Sequence, residues 1–269
     1  MMGFDPQTQL VARLHAEGHA LKDIAKATGL SKGVVFNALS ELGVTRRRVN
    51  RVKELTAWEE ALLLGCLLGD GVLHQRHPGR GTPELVLAHS AKQRDYMQWK
   101  VDQLGDLFFP DAVRPFDNNG HPAVRATSRC SSLLVPYYEL FYGNRTKKRY
   151  NEDVLQRVAN HDFCDVILAV WFGDDGYRSS GNGKSLGFVL GERCVGFFER
   201  VAAWFSELGY DGVLHEHMGR HTYRYLLLRV ASAHRFRDTV AAYLPACMQY
   251  KLDIGPTRTV RRSRGRQEV

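Results

Sequence analysis

Two stretches of the chain are apolar on nearly every side of a helix. The first is Trp58–Gly69, which ends at Asp70, and the second is Asp165–Gly173, which ends at Asp174 and Asp175. A helix that is apolar all round must be buried on more than one side. Because each stretch needs an equally apolar partner, the pattern predicts two buried helices that pack against each other.

The pattern after the first helix recurs after the second, 105 residues later when counted from Asp70 to Asp175. Each copy predicts a helix, two strands, a helix, two strands and a closing helix, which indicates an internal duplication. In the first copy the strands include Val72–Leu73, Glu84–Ala88 and Ala123–Ser128, and the later helices are Lys92–Phe108 and Ser131–Phe141. In the second copy the strands include Ser185–Leu190 and Tyr223–Val230, and the later helices are Cys194–Leu208 and His234–Leu244.

Three short helical patterns precede the duplicated region: Gln7–Glu17, Ala20–Ala27, and a third from Ser31 to about Leu42. In the third pattern, Val34 is one of the side chains expected to point inward. The last two are joined by a three-residue turn that contains glycine, and Ser31 caps the third helix. This arrangement predicts a helix-turn-helix, whose second helix enters the major groove of DNA. The candidate DNA contacts in that helix are Ser31, Lys32, Phe36 and Asn37.

The net charge of +8 is concentrated in two short runs. Thr45–Lys53 carries +5 and Pro256–Val269 carries +4, which leaves −1 for the remainder of the chain. Basic runs with little apolar content are typical of arms that lie on a polyanion, so nucleic acid is the expected partner. The candidate contacts in the first run are Arg46, Arg47 and Arg48.

The remaining composition indicates a protein without a membrane partner. The longest apolar run, Ala61–Leu68, is too short to span a bilayer, and the N-terminus lacks the pattern of a signal peptide. Five scattered cysteines without close pairing fit a reducing compartment. We therefore expect an intracellular protein, either cytoplasmic or associated with the nucleoid.

The acids at the two helix ends are the candidate catalytic residues. If the helices pack side by side, with Gly65 and Gly69 allowing a close approach, Asp70 and Asp175 emerge together at one end. Two neighbouring carboxylates repel each other unless a cation lies between them, and the helix dipole also disfavours negative charge there. Mg²⁺ prefers oxygen ligands, and such a site suits metal-assisted cleavage of a phosphodiester.

These helix ends resemble the two motifs of LAGLIDADG homing endonucleases. Leu63–Gly71 and Leu168–Gly176 are similar to the motifs themselves, and His89–Gln93 followed by Tyr96 resembles the stretch that opens the first helix after a motif. Pro245–Leu252 resembles the family's closing Pro-x-x-Met-x-Tyr-Lys-Leu. The resemblance covers about Trp58 to Leu252, and two motifs at this separation are more specific than either alone.

The resemblance implies an α+β fold: a duplicated αββαββα core with pseudo-twofold symmetry, here preceded by a small all-α helix-turn-helix module. It implies that Asp70 and Asp175 bind the metal and that Lys251, matched by Lys148 in the first half, assists beside them. In the family, two four-stranded sheets form a saddle on DNA. The candidate strand contacts are Arg125, Arg129, Arg224 and Arg229.

The sequence departs from the family pattern at several positions. Position six of the motif, often Asp, is Leu68 and Gly173, and position three of the second motif is Val170, so the two helices cannot pack identically. Asp174 is expected to be a solvent-facing acid at a helix end. The Gln or Asn residues that often hold metal-bound water have no clear match near Ala88, His89 and Leu190.

The sequence thus predicts a monomeric, metal-dependent homing endonuclease that hydrolyses both strands of a long, specific DNA target with a staggered cut. A non-catalytic DNA-binding transcriptional regulator and an RNA maturase of the same fold remain alternatives. The expected divisions are a helix-turn-helix module (1–44), a basic linker (45–56), the first LAGLIDADG half (57–160), the second half (161–254) and a basic tail (255–269).

Overall fold

The computed structural model describes residues 6–17, 19, 21–41, 54–75, 82–109, 111–143, 145, 147–179, 185–191, 197–217 and 223–255. The chain divides into two compact units, residues 1–51 and residues 52–269. The predicted DNA contacts Arg46, Arg47 and Arg48 lie outside the described residues, as do residues 256–269 of the basic tail.

The first unit contains three helices, α1 (Pro6–Ala16), α2 (Leu21–Thr28) and α3 (Lys32–Glu41). Gly29 follows α2 with a φ of 70°, a backbone conformation that glycine adopts without strain. The Ser31 hydroxyl accepts a hydrogen bond from the Val34 N–H at 3.3 Å, as expected of a cap. The inward prediction for Val34 is wrong, because its side chain is 48% exposed while Val35 is buried against the other helices.

The first half of the second unit begins with a capped helix. The Thr56 hydroxyl accepts from the Glu59 N–H, and the Glu59 carboxylate accepts from the Thr56 N–H at 2.8 Å. The elements of this half are α4 (Ala57–Leu68), β1 (Val72–His74), β2 (Glu84–Ser90), α5 (Arg94–Gln103), β3 (Arg114–Asn118), β4 (His121–Thr127), α6 (Val135–Phe141) and α7 (Glu152–Ala159).

The second half repeats this order. Its elements are α8 (Cys164–Asp175), β5 (Gly176–Arg178), β6 (Leu186–Val189), α9 (Phe198–Glu207), β7 (Gly212–His217), β8 (Tyr223–Leu228) and α10 (Val230–Val240), followed by a 3₁₀ helix, Ala246–Leu252. The duplicated αββαββα order is therefore confirmed. Helix α7, which connects the two halves, was not predicted.

Each half forms one four-stranded antiparallel sheet, with strand orders β1-β2-β4-β3 and β5-β6-β8-β7. The two sheets have matching registers: Leu73 pairs with Leu85 in the first, and Arg178 pairs with Leu186 in the second. Alternate side chains are buried against the helices, and the others form an open face on each sheet.

Helices α4 and α8 form the centre of the core. Every residue of Ala61–Leu68 and of Val166–Gly173 is buried, which confirms that the two all-apolar stretches pack as buried helices. Among the described residues, no helix is both long enough and apolar enough to cross a membrane. The described cysteines Cys66, Cys130, Cys164 and Cys247 have free thiols.

Candidate active site at the ends of two packed helices

Helices α4 and α8 approach closely because Gly65 has no side chain. A Cβ atom at Gly65 would lie 2.6 Å from the Cβ of Val170 and 2.9 Å from the carbonyl oxygen of Ile167. The close approach predicted for Gly65 is confirmed. The bulkier Val170 fills the space that the glycine leaves, so the two motif helices differ in packing, as their sequences predict.

The two predicted catalytic acids lie at the C-terminal ends of these helices. Asp70 follows the C-cap of α4, and its side chain is 41% exposed and lines a cleft of about 390 Å³. Asp175 is the last residue of α8, and its Oδ2 atom accepts a hydrogen bond from the Trp171 indole at 3.3 Å. Helix ends disfavour carboxylates, so positive groups are needed nearby.

Two lysines supply that positive charge. The Lys148 ammonium group donates to the carbonyl oxygens of Leu67 at 2.9 Å and Gly71 at 2.6 Å. The Lys251 ammonium group donates to the carbonyl oxygens of Gly173 at 2.7 Å and Asp174 at 3.2 Å. The structure thus places Lys148 and Lys251 at corresponding ends of α4 and α8, each satisfying carbonyl groups that the helix leaves without an internal partner.

The electrostatic surroundings of Lys251 tie it to all of the helix-end acids. Burial lowers the pKa of Lys251, while Asp174, Asp70 and Asp175 oppose that shift. The net pKa of Lys251 lies below its usual value, with burial as the largest cause. Lys251 therefore belongs to the same charged cluster as Asp70 and Asp175.

Asp174 is not the solvent-facing acid that the sequence predicts. Its side chain is fully buried, and it lies in the space beside Gly69, where an added Cβ atom would be 2.3 Å from the Asp174 Oδ2 atom. That Oδ2 atom accepts a hydrogen bond from the Asp70 backbone N–H at 3.1 Å. The solvent-facing prediction fails because Gly69 opens a buried pocket for this carboxylate at the contact between the two halves.

The partner of Asp174 inside the core is Lys100 of α5, whose side chain is also fully buried and forms an ion pair and hydrogen bond with the Asp174 Oδ1 atom. The Lys100 ammonium group lies 3.1 Å from His89 Nε2 and 4.4 Å from the centre of the Tyr96 ring. On its other side, His89 Nδ1 lies 3.7 Å from the Asp70 Oδ2 atom. A continuous polar path thus joins Lys100 to Asp70.

The protonation states within this cluster follow from burial and neighbouring charge. Burial alone lowers the pKa of Lys100, but Asp174 raises it to a net value above the usual one. Burial opposes ionisation of Asp174, yet Lys100 holds its pKa below the usual range. Burial and Lys100 lower the pKa of His89 to about 4. At neutral pH the pair is therefore charged and His89 is neutral.

The donor set at this helix end fits a divalent cation. Ligand atoms of Asp70, His89 and Asp174 all lie within 4.8 Å of one another. Because Lys100 already neutralises Asp174, the Asp70 carboxylate, at the open side, is the better ligand for an added cation. Carboxylate oxygens are also the ligands that Mg²⁺ and Ca²⁺ prefer.

The sequence did not identify Lys100 and Asp174 as members of the site, and it noted His89 as the start of a family-like stretch and near the missing Gln or Asn, without a role in the site. A lysine in a helix is usually exposed, so Lys100 gave no signal of its own. One signal was present, since Asp174 follows an all-apolar helix and stands where the first motif has Gly69.

The four predicted strand arginines lie in different environments. Arg125 is exposed on the open face of the first sheet, with its guanidinium 4.5 Å from the centre of the Phe116 ring. Two others make side-chain contacts within the protein: the Arg129 Nε group donates to the Asp106 carbonyl at 3.1 Å, and Arg224 forms an ion pair with Glu216 at 2.6 Å. Arg229 follows β8 and is exposed, and its backbone N–H donates to the Asp211 carbonyl at 2.9 Å.

Arg224 shares the helix-packed side of β8 with two buried leucines, Leu226 and Leu228, so its charge is directed away from the open face of the second sheet. In the first unit, Lys32 and Asn37 of α3 are exposed. The structure therefore leaves Arg125, Arg229, Lys32 and Asn37 accessible to a partner.

Comparison with known proteins identifies the same architecture elsewhere. The solved structure of the homing endonuclease I-WcaI bound to its DNA recognition sequence is similar over 81% of this chain and 98% of that chain, with a TM-score of 0.65. At 17% sequence identity, this likeness concerns the fold alone.

Curated relatives match by sequence. The protein RecA of Mycolicibacterium chitae is 25% identical over 201 residues, and that of Mycobacterium shimoidei is 26% identical over 209 residues; each match covers 71% of this chain and 45% of the relative. The chain therefore spans less than half the length of these relatives.

The family comparison covers the centre of the chain. A model described as the LAGLIDADG DNA endonuclease family matches residues 60–194, about half of the sequence. The matched region contains Asp70 and Asp175 together with α8 and all but the first three residues of α4, and the repeated element order around them is the one that the motifs imply. The chain belongs to the LAGLIDADG DNA endonuclease family.

Proposed function

We propose that this protein is a homing endonuclease that hydrolyses both strands of a long double-stranded DNA target with a divalent metal ion. The observation that carries the proposal is the pair of corresponding helix ends, where Asp70 and Asp175 each lie beside a lysine that binds the same helix end. Since one chain supplies both acids, we infer that it acts as a monomer. For an enzyme that acts on genomic DNA, we also propose a location inside the cell.

The proposed chemistry is hydrolysis of a phosphodiester. Asp70 and Asp175 would hold the divalent metal, for which we propose Mg²⁺ because it prefers carboxylate oxygens. A bound divalent cation would stabilise negative charge on the phosphate and make a nearby water more acidic. In each strand, a bond forms between a water oxygen and phosphorus, the bond from phosphorus to the leaving sugar oxygen breaks, and that oxygen takes up a proton. Lys148 and Lys251 keep positive charge beside the acids throughout.

We propose that the open faces of the two sheets lie on the DNA, with Arg125 among the contacts. The structure of I-WcaI, which is similar in fold, contains that protein bound to its DNA recognition sequence, and this supports DNA as the partner proposed here. Lys32 and Asn37, together with Arg46, Arg47 and Arg48, would extend the footprint if the first unit is a helix-turn-helix. Arg229, which is exposed, remains in the proposal as a contact to the DNA backbone, whereas Arg129 and Arg224 would first have to leave their present side-chain partners.

The test is a cleavage selection with the full chain. A randomised duplex library and source genomic DNA are incubated with protein and Mg²⁺, or with EDTA, and the new ends are sequenced. Recurrent ends at one long motif that disappear with EDTA are the expected result. Asp70→Asn and Asp175→Asn should abolish cleavage and retain binding, whereas Asp111→Asn, an exposed acid that pairs with Arg114, should cleave normally.

Each alternative function corresponds to a distinct result. Cleavage that persists in the Asp175→Asn variant would refute the assignment of this acid. Specific retention of duplex DNA without new ends would favour a transcriptional regulator. Retention of structured RNA in preference to duplex DNA would favour a maturase.

A further inference from the structure

The open faces of the two sheets can be compared position by position, because both sheets begin directly after a motif acid. In the first half, Val72 lies two residues beyond the acid and pairs with Val86. In the second half, Tyr177 lies two residues beyond the acid and pairs with Gly187. Since side chains alternate between the two sides of a strand, every second residue from these pairs lies on the same face.

The next strand of each sheet continues the match. Val86 pairs with Thr127 of β4. Gly187, at the matching position, pairs with Leu227 of β8. A leucine side chain thus takes the place that a threonine has on the open face of the first sheet.

The same change from polar to apolar groups occurs two residues earlier, at Arg125 of β4 and Tyr225 of β8. Arg125 pairs with Arg114 of β3. Tyr225 pairs with His215 of β7. The second sheet therefore has a tyrosine and a histidine where the first sheet has two arginines.

A cleft over each sheet shows that these side chains border open space. The cleft of the first sheet has a volume of about 390 Å³, and its lining includes Arg114, Arg125 and Thr127. The cleft of the second sheet has a volume of about 440 Å³, and its lining includes the three matching residues. The two arginines that also line the second cleft, Arg178 and Arg224, already form ion pairs with acids of the protein.

Aromatic rings cover the centre of the second cleft. The Tyr177 ring lies over Gly187, where an added Cβ atom would be 2.6 Å from the Tyr177 Cζ atom. The Tyr225 ring stacks on His215, with ring centres 4.9 Å apart and 11° between the planes. Tyr225 also meets Tyr177 edge to face at 6.2 Å. The three rings thus form one continuous group across the strands.

Aliphatic side chains extend this group. Val189 and Val213 are 41% and 42% exposed, and Val213 pairs with Leu227. A contiguous exposed surface of this kind marks a binding site more often than it marks bare solvent contact. We name this surface the aromatic face, and its described members are Tyr177, Val189, Val213, His215, Tyr225 and Leu227.

The position and chemistry of the aromatic face favour duplex DNA as its partner. Strand β5 starts directly after Asp175, so a DNA strand with its phosphate at that acid would continue over Tyr177. In the major groove, arginine side chains contact guanine, whereas apolar side chains contact the methyl group of thymine. Because His215 and Tyr225 stack on each other, each has used a ring face that an unpaired base would need for stacking.

We propose that the two sheets read different bases. The aromatic face contacts thymine methyl groups, so the half of the target beneath it is rich in A·T pairs, whereas Arg125 selects guanine in the other half. This inference rests on the proposed endonuclease function. Tyr225, Leu227 and Val189 are the specificity-determining residues of the second sheet. The first expected result is that the target recovered by the cleavage selection differs in base composition between its two halves.

Uracil tests the methyl contacts without any change to the protein, because it lacks only the methyl group of thymine. The recovered duplex is made with uracil in place of every thymine of one half, and binding of the full-length protein is measured by fluorescence anisotropy in EDTA. Uracil under the aromatic face should weaken binding by about fourfold for each methyl group that the protein buries. Uracil in the other half should have little effect.

The two halves of the target are assigned with a variant of the first sheet. Arg125→Gln should relax the base preference only in the half beneath the first sheet, so the aromatic face covers the remaining half. The exchange Tyr225→Arg copies the first sheet into the second and should change the preferred base at one position of the A·T-rich half to guanine. The reciprocal exchange Arg125→Tyr is the matched control and should remove a guanine preference from the opposite half.

Base preference separates recognition from a loss of folding. The preference is a ratio of affinities measured on one protein, so a smaller folded fraction lowers all affinities equally and leaves the ratio unchanged. Tyr225 is only partly buried, on an open face, which leaves room for the arginine side chain. Thermal unfolding of each variant records the folded fraction.

The possible failures are distinct. Equal effects of uracil in the two halves, or no effect in either half, would overturn the inference while leaving the endonuclease function intact. A wild-type dimer that Tyr225→Arg dissociates in sedimentation experiments would assign the aromatic face to a second copy of the chain and would also overturn the inference. Failure of the selection to recover any cleaved duplex would refute the proposed function itself, and this inference with it.

Discussion

Replacing Lys100 by Met tests the energetics of the buried ion pair most directly. The substitution keeps a flexible, unbranched side chain but removes the ammonium group, and it leaves the Asp174 carboxylate buried without its cation. Both side chains are fully buried in the folded protein. Burying an unpaired charge is costly, because the group loses its hydration and gains nothing in return.

The expected size of the effect follows from this burial. Removing one member of a buried pair typically destabilises a protein by about 3–5 kcal/mol, whereas a domain is stable by only about 5–15 kcal/mol. Asp174→Asn should cost a similar amount, because it leaves Lys100 unpaired. The double variant should lose no more than either single variant, since neither charge then remains buried. The coupling between the two positions is therefore expected to be at least as large as one single loss, about 3–5 kcal/mol.

Urea denaturation of the four proteins at pH 7 in EDTA measures these free energies of unfolding. Arg114→Met provides the control, because Arg114 and Asp111 form an ion pair whose side chains are 71% and 77% exposed. An exposed pair of this kind should change stability by less than about 1 kcal/mol. The reasoning would be refuted if the double variant lost the sum of the two single losses, or if Lys100→Met cost no more than the surface control.

Three further outcomes are expected. Gly69→Ala should lower the free energy of unfolding by about 3 kcal/mol or more in urea denaturation, because the new methyl group must displace the Asp174 carboxylate. The control Gly255→Ala should have little effect, because a Cβ atom there would have no other atom within 4 Å. The pKa of His89 is lowered from 6.5 to about 4, so between these pH values the unfolded chain binds a proton that the folded chain does not. Between pH 7 and pH 4.5 the free energy of unfolding of the wild type should therefore fall by roughly 2–3 kcal/mol more than that of His89→Leu. Parallel pH profiles of the two proteins would contradict this. Arg125→Gln should weaken binding to the duplex recovered by the cleavage selection by about 1–3 kcal/mol, measured in titrations at fixed salt. Arg224→Gln should weaken binding less. The reverse order of the two effects would show that the second sheet has to rearrange on DNA.

Local patterns were sufficient to predict the architecture of the duplicated core. The helices α4 and α8 are apolar on all sides, a property of contiguous residues that needs no knowledge of their partners. Helix α7 was missed, although Asn151 caps it and Val154, Leu155 and Val158 form a buried stripe at helical spacing. That signal was present in the sequence and could have been found.

The site was only partly predictable because its polar contacts join distant parts of the chain. Asp70 and Asp175 stand out locally, as acids at the ends of apolar helices. The Asp174–Lys100 pair joins residues 74 positions apart and depends on the absence of a side chain at Gly69. A single sequence shows each of these residues but does not show that they meet.

The Asp174 side chain of the second half occupies the space beside Gly69 of the first half, and this makes the two halves non-interchangeable. A protein made of two copies of the first half would have glycine at both positions, and each buried Lys100 would lack a carboxylate. Two copies of the second half would instead place two carboxylates against each other. Trp204 would then stand where Lys100 does, since each lies five residues before the positive-φ glycine that follows its helix, Gly209 or Gly105. Neither half can therefore be replaced by a duplicate of the other. The two halves are complementary parts, and a symmetric homodimer of either half would require several simultaneous substitutions in the core.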